Sequence, residues 1–255
     1  ESAVASFDTM PTELRLIKNS VWVDTVRPEL LLPGYQALAD CSLLRQDISH
    51  EHVVQDEQYL WVVNVVLAHQ IGRLASDCGE VLYGTQPLPD AAVQRLRGQL
   101  KTLLHRLGSV ATLLRWADEP PPPGPRGTPA PHWPQKVSGA GHLLRFPLCR
   151  TTQGTWVNLQ QLLEDVGQHG SLAFCPILSS EADPARPLVL HLSDAWEQTM
   201  LATLFDCPLQ DRTSAMQHAL RRAREAATAE VLIVNLSGRG DKDLQTVANA
   251  LGMNL

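Results

Sequence analysis

The sequence predicts an α+β protein, in which an N-terminal bundle or hairpin of long helices is followed by a C-terminal α/β segment. Between residues 49 and 117, apolar side chains recur at the three- and four-residue spacing of amphipathic helices. After residue 142, short apolar runs alternate with helical segments, as in α/β and α+β folds. Between the two parts, residues 119–134 read EPPPPGPRGTPAPHWP, and proline at this density excludes both helix and sheet.

These observations divide the chain into a helical domain (residues 1–118), a proline-rich linker (119–134) and an α/β domain (135–255). The linker is interpreted as an extended, semi-rigid spacer. A proline-rich ligand for another protein is the alternative interpretation of the same residues.

The first 48 residues are interrupted by Pro11, Pro28 and the pair Pro33-Gly34. Residues 35–45 are predicted to be helical, because apolar side chains follow helical spacing there. Residues 17–26 fit either a strand or a helical turn.

Two long helices are predicted next. Ser49 is a suitable N-cap for a helix over residues 49–82, whose middle, WVVNVVLAH, is apolar nearly all round and therefore indicates burial on more than one side. After a Gly/Pro turn, Asp90 is a suitable cap for a second helix over residues 91–117. The short connection predicts antiparallel neighbours that serve as a module for binding a protein partner, with a homo-oligomer as one possibility.

In the C-terminal part, strands are predicted at residues 143–149, 171–178, 188–192 and 231–236. Helices are predicted at residues 159–166, 194–205, 213–227 and 244–251, and Ser193 is the predicted cap of the second of these.

Composition narrows the class of protein. Hydrophobic residues make up 44 %, enough for a core, while the net charge of −6 and the lack of a basic stretch argue against nucleic acid as a partner. No apolar run is long enough to span a bilayer, and no signal-peptide pattern is present, so a soluble cytoplasmic protein is expected. The five scattered cysteines predict free thiols in a reducing compartment; the alternative is a disulfide in an extracytoplasmic protein.

The last 26 residues, EVLIVNLSGRGDKDLQTVANALGMNL, combine a β-branched run, a glycine turn and a helical segment, which together can form an anion pocket. The stretch VNLSGRGDKD resembles the C-terminal segment of the tryptophan synthase β subunit, a pyridoxal-phosphate enzyme of fold type II. The resemblance implies that Ser237 hydrogen-bonds the pyridine nitrogen of the cofactor. It also implies that Gly238 and Gly240 shape the turn beside it.

That family also needs a lysine that holds the cofactor covalently and a glycine-rich phosphate loop. None of the four lysines (Lys18, Lys101, Lys136 and Lys242) stands in the family's sequence context, and residues 138–142, SGAGH, are the nearest substitute for the loop. We therefore expect a non-catalytic interaction or scaffold protein with a degenerate C-terminal domain and no cofactor. The alternative is a pyridoxal-phosphate-dependent lyase that acts alone or completes a site with another chain.

Potential metal ligands are densest at Asp47, His50, Glu51, His52 and Asp56. If these residues begin a helix, His50 and His52 point apart and cannot share an ion. No metal site is predicted there, and the catalytic residues are unknown.

Overall fold

The computed structural model describes residues 12–28, 31–118, 134, 136–178 and 186–226. It divides the chain into two compact units, Glu1–Phe146 and Pro147–Leu255. Helices and strands both occur, so the protein is a mixed α+β protein. Within the described ranges, no helix has the length and apolar character needed to cross a bilayer.

The first unit begins with a three-stranded sheet. Its strands are β1 (Glu13–Lys18), β2 (Val21–Val26) and β3 (Gln36–Asp40), in the order β2-β1-β3. β1 is antiparallel to β2 and parallel to β3. The prediction of a helical domain over residues 1–118 is therefore corrected, since that range also contains a sheet. The predicted helix at residues 35–45 is wrong, because residues 36–40 form β3 and alternate between its two faces.

The helices that follow in the described part of this unit are α1 (Glu57–Tyr83), α2 (Asp90–Leu107), α3 (Val110–Trp116) and α4 (Gly141–Arg145). α1 contacts α2, and α3 and α4 pack beside them. The core between sheet and helix consists of Leu14, Leu16, Leu31, Leu44, Val53, Tyr59, Val62, Val63, Val66 and Leu67. The long amphipathic helix predicted from residue 49 is present, but it begins later.

The start of α1 is set by Asp56 and not by Ser49. The Asp56 carboxylate accepts hydrogen bonds from the backbone N–H groups of Gln58 and Tyr59, both at 3.1 Å. Ser49 donates its hydroxyl to Asp47 instead, inside a turn that precedes the helix. Each residue is a competent cap, and the turn decides which of them is used.

The second predicted helix is divided in two. Gly108 ends α2 in the left-handed conformation (φ 61°), and Ser109 accepts a hydrogen bond from the N–H of Ala111 to begin α3. A glycine at φ above zero ends a helix without the steric penalty of a Cβ atom. The leucines that recur at helical spacing along α2, Leu96, Leu100, Leu103 and Leu107, are all buried.

Residues on both sides of the proline-rich stretch meet at the end of α3. The carbonyl of Pro134 accepts hydrogen bonds from the indole Nε1 of Trp116 at 2.6 Å and from the guanidinium of Arg115 at 3.3 Å. The segment that ends in α4 then packs on α1. The two units therefore divide at Phe146, beyond the predicted boundary at residues 119–134.

Two small sheets and three helices lie in the described residues of the second unit, 147–178 and 186–226. A hairpin of β4 (Cys149–Arg150) and β5 (Trp156–Val157) precedes α5 (Leu159–His169). A parallel sheet in the order β7-β6-β8 follows, made of β6 (Leu172–Cys175), β7 (Leu190–His191) and β8 (Leu209–Asp211). The other helices are α6 (Ala195–Phe205) and α7 (Thr213–Ala226), and the core includes Ala173, Cys175, Ile177, Val189 and Met216.

Several predictions for this unit are confirmed: the strands at 171–178 and 188–192 and the helices at 159–166, 194–205 and 213–227 all occur, with shifts of a few residues at their ends. Asp194, not Ser193, caps α6, because its carboxylate accepts from the N–H of Trp196. The predicted strand at 143–149 is mostly wrong, since α4 occupies its first part. The predictions at 231–236 and 244–251 lie outside the described residues.

Candidate functional site

The residues predicted to bind a cofactor, Ser237, Gly238 and Gly240, lie outside the described residues, as does Lys242. Lys18 is the last residue of β1 and Lys101 lies on α2. The remaining lysine, Lys136, lies in the segment between α3 and α4. Among the described lysines, Lys136 therefore lies next to residues 138–142, the predicted substitute for a phosphate loop.

The clearest functional feature in the first unit is an exposed apolar face on the N-terminal half of α1. Leu60, Trp61 and Val65 are 51 %, 60 % and 40 % exposed. Val62 and Leu67, from the same stretch, are buried in the core. The stretch WVVNVVLAH is therefore buried on one side only among the described residues, and the prediction of burial on more than one side is wrong there.

The same side of α1 is covered in its C-terminal half. His142 of α4 lies so close to Gly79 that a Cβ added to this glycine would be 2.5 Å from Nδ1 of the imidazole. Nδ1 of His142 is also 3.2 Å from the carbonyl oxygen of Ala75, and its ring packs edge-on against Tyr83. Gly79 and Ala75 continue the helical row that contains Val65, Ala68 and Gly72. This face of α1 is thus covered by His142 near the C-terminal end of the helix and exposed to solvent near its N-terminal end.

A pocket of about 530 Å³ opens beside the end of α3 in the same unit. It is lined by Trp116, Asp118 and Lys136 together with the turn of residues 138–141. Gly139 has φ 72°, so this turn requires a residue without a Cβ atom. The sequence singled out Lys136 and this turn separately, and the fold brings them to one pocket.

In the second unit, polar residues gather where the parallel strands end. Cys175, His191 and Asp211 are the last residues of β6, β7 and β8. Ligands of open α/β sheets bind at this edge. Burial lowers the pKa of His191, whereas hydrogen bonds from Thr213 lower the pKa of Asp211. β8 was not predicted, so the sequence did not indicate that these three residues share an edge.

The potential metal ligands at residues 47–56, where no metal site is predicted, lie in the turn before α1 and at its N-cap, not within a helix. The N–H of Asp47 donates to the carbonyl of His52, and Asp47 accepts from Ser49, so that the carboxylate stabilises the turn. The helical argument that His50 and His52 point apart is therefore wrong. Throughout the described part of the chain, no three His, Cys, Asp or Glu side chains are grouped closely enough to hold a metal ion.

No family model matches this chain. The function proposed below therefore depends on the geometry of the described residues and on the resemblance of the C-terminal segment.

Proposed function

We propose that this protein is a non-catalytic interaction or scaffold protein whose N-terminal helical module binds a protein partner through the exposed face of α1. The observation that carries this proposal is the exposure of Trp61 between Leu60 and Val65 on one helix face. An aromatic side chain flanked by aliphatic ones is typical of the centre of a protein interface.

The energetics of this face favour a partner. Burying a large aliphatic or aromatic side chain contributes about 1.5–3 kcal/mol of transfer free energy. Three such side chains within two adjacent turns can therefore drive helix-in-groove or helix–helix recognition. Asp56 supports this role because its cap fixes the first turn of the helix that presents them.

A photo-reactive amino acid introduced at position 61 tests this proposal. Irradiation of cells that make the full chain should give covalent adducts with a protein, either another one or a second copy. The matched control is the same substitution at Gln94, an exposed position on α2. Adducts from both positions in equal yield, or from neither, would contradict the proposal.

The C-terminal unit is proposed to be a degenerate relative of tryptophan synthase β that serves as a fold element without catalysis. A pyridoxal-phosphate-dependent lyase is the second candidate. It is favoured by the pocket, because Lys136 supplies an amine beside a glycine-containing turn in a volume that can hold a small cofactor. Asp118 in the same lining is unfavourable for a phosphate group.

Absorbance spectroscopy distinguishes these two candidates. If the chain is a lyase, incubation with pyridoxal phosphate should give a band at about 410–430 nm that disappears in Lys136→Met but not in Lys101→Met. If the chain is a non-catalytic protein, no lysine-dependent band appears. The Lys101 variant is a matched control because that lysine lies on α2, away from the pocket lining.

A cytoplasmic or other reducing compartment is also proposed. The proposal is supported by the cysteines, which form no disulfide with one another in the structure; Cys78, Cys149 and Cys175 are buried. Free cysteines are usual where glutathione and thioredoxin keep thiols reduced. Mass spectrometry of the alkylated native protein should therefore find all five positions unpaired.

A further inference from the structure

On the basis of the function proposed for α1, we propose that its partner is a second copy of this chain. The two α1 helices would cross in opposite directions about a two-fold axis near Val65. The inference follows from a row of side chains on α1 that is complementary to itself. It also follows from the length of α1 that no other described element covers, and from the packing of α4 on the C-terminal half of the helix.

The row consists of residues four apart along α1: Glu57, Trp61, Val65, His69 and Arg73. All five side chains are exposed. Rows with this spacing are the ridges through which helices pack on one another. The row begins with an acidic residue, ends with a basic one and has an apolar residue at its centre.

Because the charges at the two ends of this row are opposite, the row is complementary to the same row of a second copy that runs in the opposite direction. With Val65 on the axis, Glu57 of each copy lies next to Arg73 of the other, and Trp61 of each lies next to His69 of the other. A two-fold interface forms every such contact twice. Opposite charges at both ends and apolar side chains at the centre match the usual polar rim and apolar core of an interface.

The open length of α1 also fits a second copy. The turn before α4 begins to cover this side of α1 near Gly72, where an added Cβ atom would lie 3.8 Å from the carbonyl oxygen of Ser138. The uncovered stretch from Glu57 to this point is about 20–25 Å long at ~1.5 Å per residue. The first four turns of a second α1 have the same length, so the two copies would fill the open face and stop where α4 begins.

Arg73 can contact Glu57 of the second copy and still keep its ion pair with Asp77. Its Nε is 3.0 Å from the carboxylate of Asp77, and its side chain is 59 % exposed. The guanidinium has further N–H donors on its two Nη atoms. These can reach Glu57 of the second copy while Nε remains with Asp77.

Charge reversal in the full chain, followed by sedimentation equilibrium, tests this proposal. The unaltered protein should be dimeric, and Glu57→Arg and Arg73→Glu should each weaken dimerisation at least about tenfold, because like charges then meet twice. The double variant Glu57→Arg/Arg73→Glu should restore the dimer. Circular dichroism and thermal melts of the monomeric variants check that each one is folded.

Three results would overturn the inference: a protein that stays monomeric up to about 100 µM, single variants that dimerise normally, or a double variant as weak as the single ones. Failure here is distinguishable from failure of the proposed function. Adducts between position 61 and another protein, together with a monomeric chain, would retain the interaction face and exclude the second copy as its partner.

Discussion

Arg186 and Asp165 form a buried ion pair in the second unit. Nη2 of Arg186 is 2.7 Å from Oδ2 of Asp165, and each side chain is only 6 % exposed. The same guanidinium donates to the carbonyl and the hydroxyl oxygen of Ser171, at 2.6 and 3.3 Å. The pair thereby joins the residues before β7 to α5 and to the start of β6.

Replacement of Arg186 by Leu should lower the free energy of unfolding by about 3–5 kcal/mol, because it leaves the buried Asp165 carboxylate with only the imidazole of His169 beside it, at 3.1 Å. The double variant Asp165→Leu/Arg186→Leu should lose less than the sum of the two single variants. Urea unfolding measures both effects. A loss below about 1 kcal/mol for Arg186→Leu would show that water reaches the carboxylate.

Gln70 is a buried polar residue on α1, and neither atom of its amide has a hydrogen-bond partner among the described residues. Gln70→Leu keeps the size of the side chain and should raise the free energy of unfolding by about 1–2 kcal/mol. Gln58→Leu, at an exposed position on the same helix, is the control and should change it by less than about 0.5 kcal/mol. Destabilisation by Gln70→Leu would contradict this prediction and indicate a bound water.

His191 should make the stability of the second unit depend on pH. Burial lowers its pKa, and Arg150 adds to this, although a hydrogen bond to the backbone of Pro176 opposes the shift. The unfolded chain therefore takes up the proton at a higher pH than the folded protein does. The stability that neutral His191 contributes is complete above its ordinary pKa of about 6.5 and decreases as the pH falls below it.

Thermal melts at pH 7.5 and pH 5 can measure this dependence. The midpoint should fall less between the two pH values in His191→Gln than in the unaltered protein. His218→Gln, on the exposed side of α7, should leave the difference unchanged. Equal pH dependence in all three proteins would contradict the prediction.

The cysteines should react in two classes. Cys41 and Cys207 are partly exposed, whereas Cys78, Cys149 and Cys175 are buried, and burial raises the pKa of Cys78 to about 12. Since the thiolate is the nucleophile, a disulfide reagent at pH 8 should modify two thiols quickly and the other three only after unfolding. Cys41→Ser/Cys207→Ser should abolish the fast phase; a third fast thiol would show that the core opens.

Much of the helical structure could be predicted from the sequence, and the boundaries were the weak point. The spacing of the leucines fixes the buried side of α2, because only one face of a helix can meet the core. The start of α1 was missed because Ser49 and Asp56 are both good caps, and their choice depends on a turn closed by Asp47.

The N-terminal sheet was harder to predict. Its hairpin turns at Asn19 and Ser20, which both have positive φ, 52° and 65°. The commonest sequence signal for such a two-residue turn is Asn-Gly, so Asn-Ser is easily overlooked. β3 then pairs in parallel with β1, a contact that no local pattern encodes.

The candidate sites depend on the same kind of non-local information. Hydrophobic spacing marks the residues around Trp61 as apolar, but it cannot tell which side of α1 another element will cover. Lys136 and Gly139 share a pocket with Trp116 only because the chain returns to the end of α3.

The hydrogen bond from Trp116 to the carbonyl of Pro134 affects how well the protein tolerates insertions and cleavage between these two residues. Because this bond holds Trp116 beside Pro134, the described residues that flank positions 119–133 lie next to each other in the first unit. A tenfold longer insert would add only about 2 kcal/mol of closure entropy. Natural variation in length, an inserted tag or a proteolytic cut can therefore occur there while both flanks stay anchored.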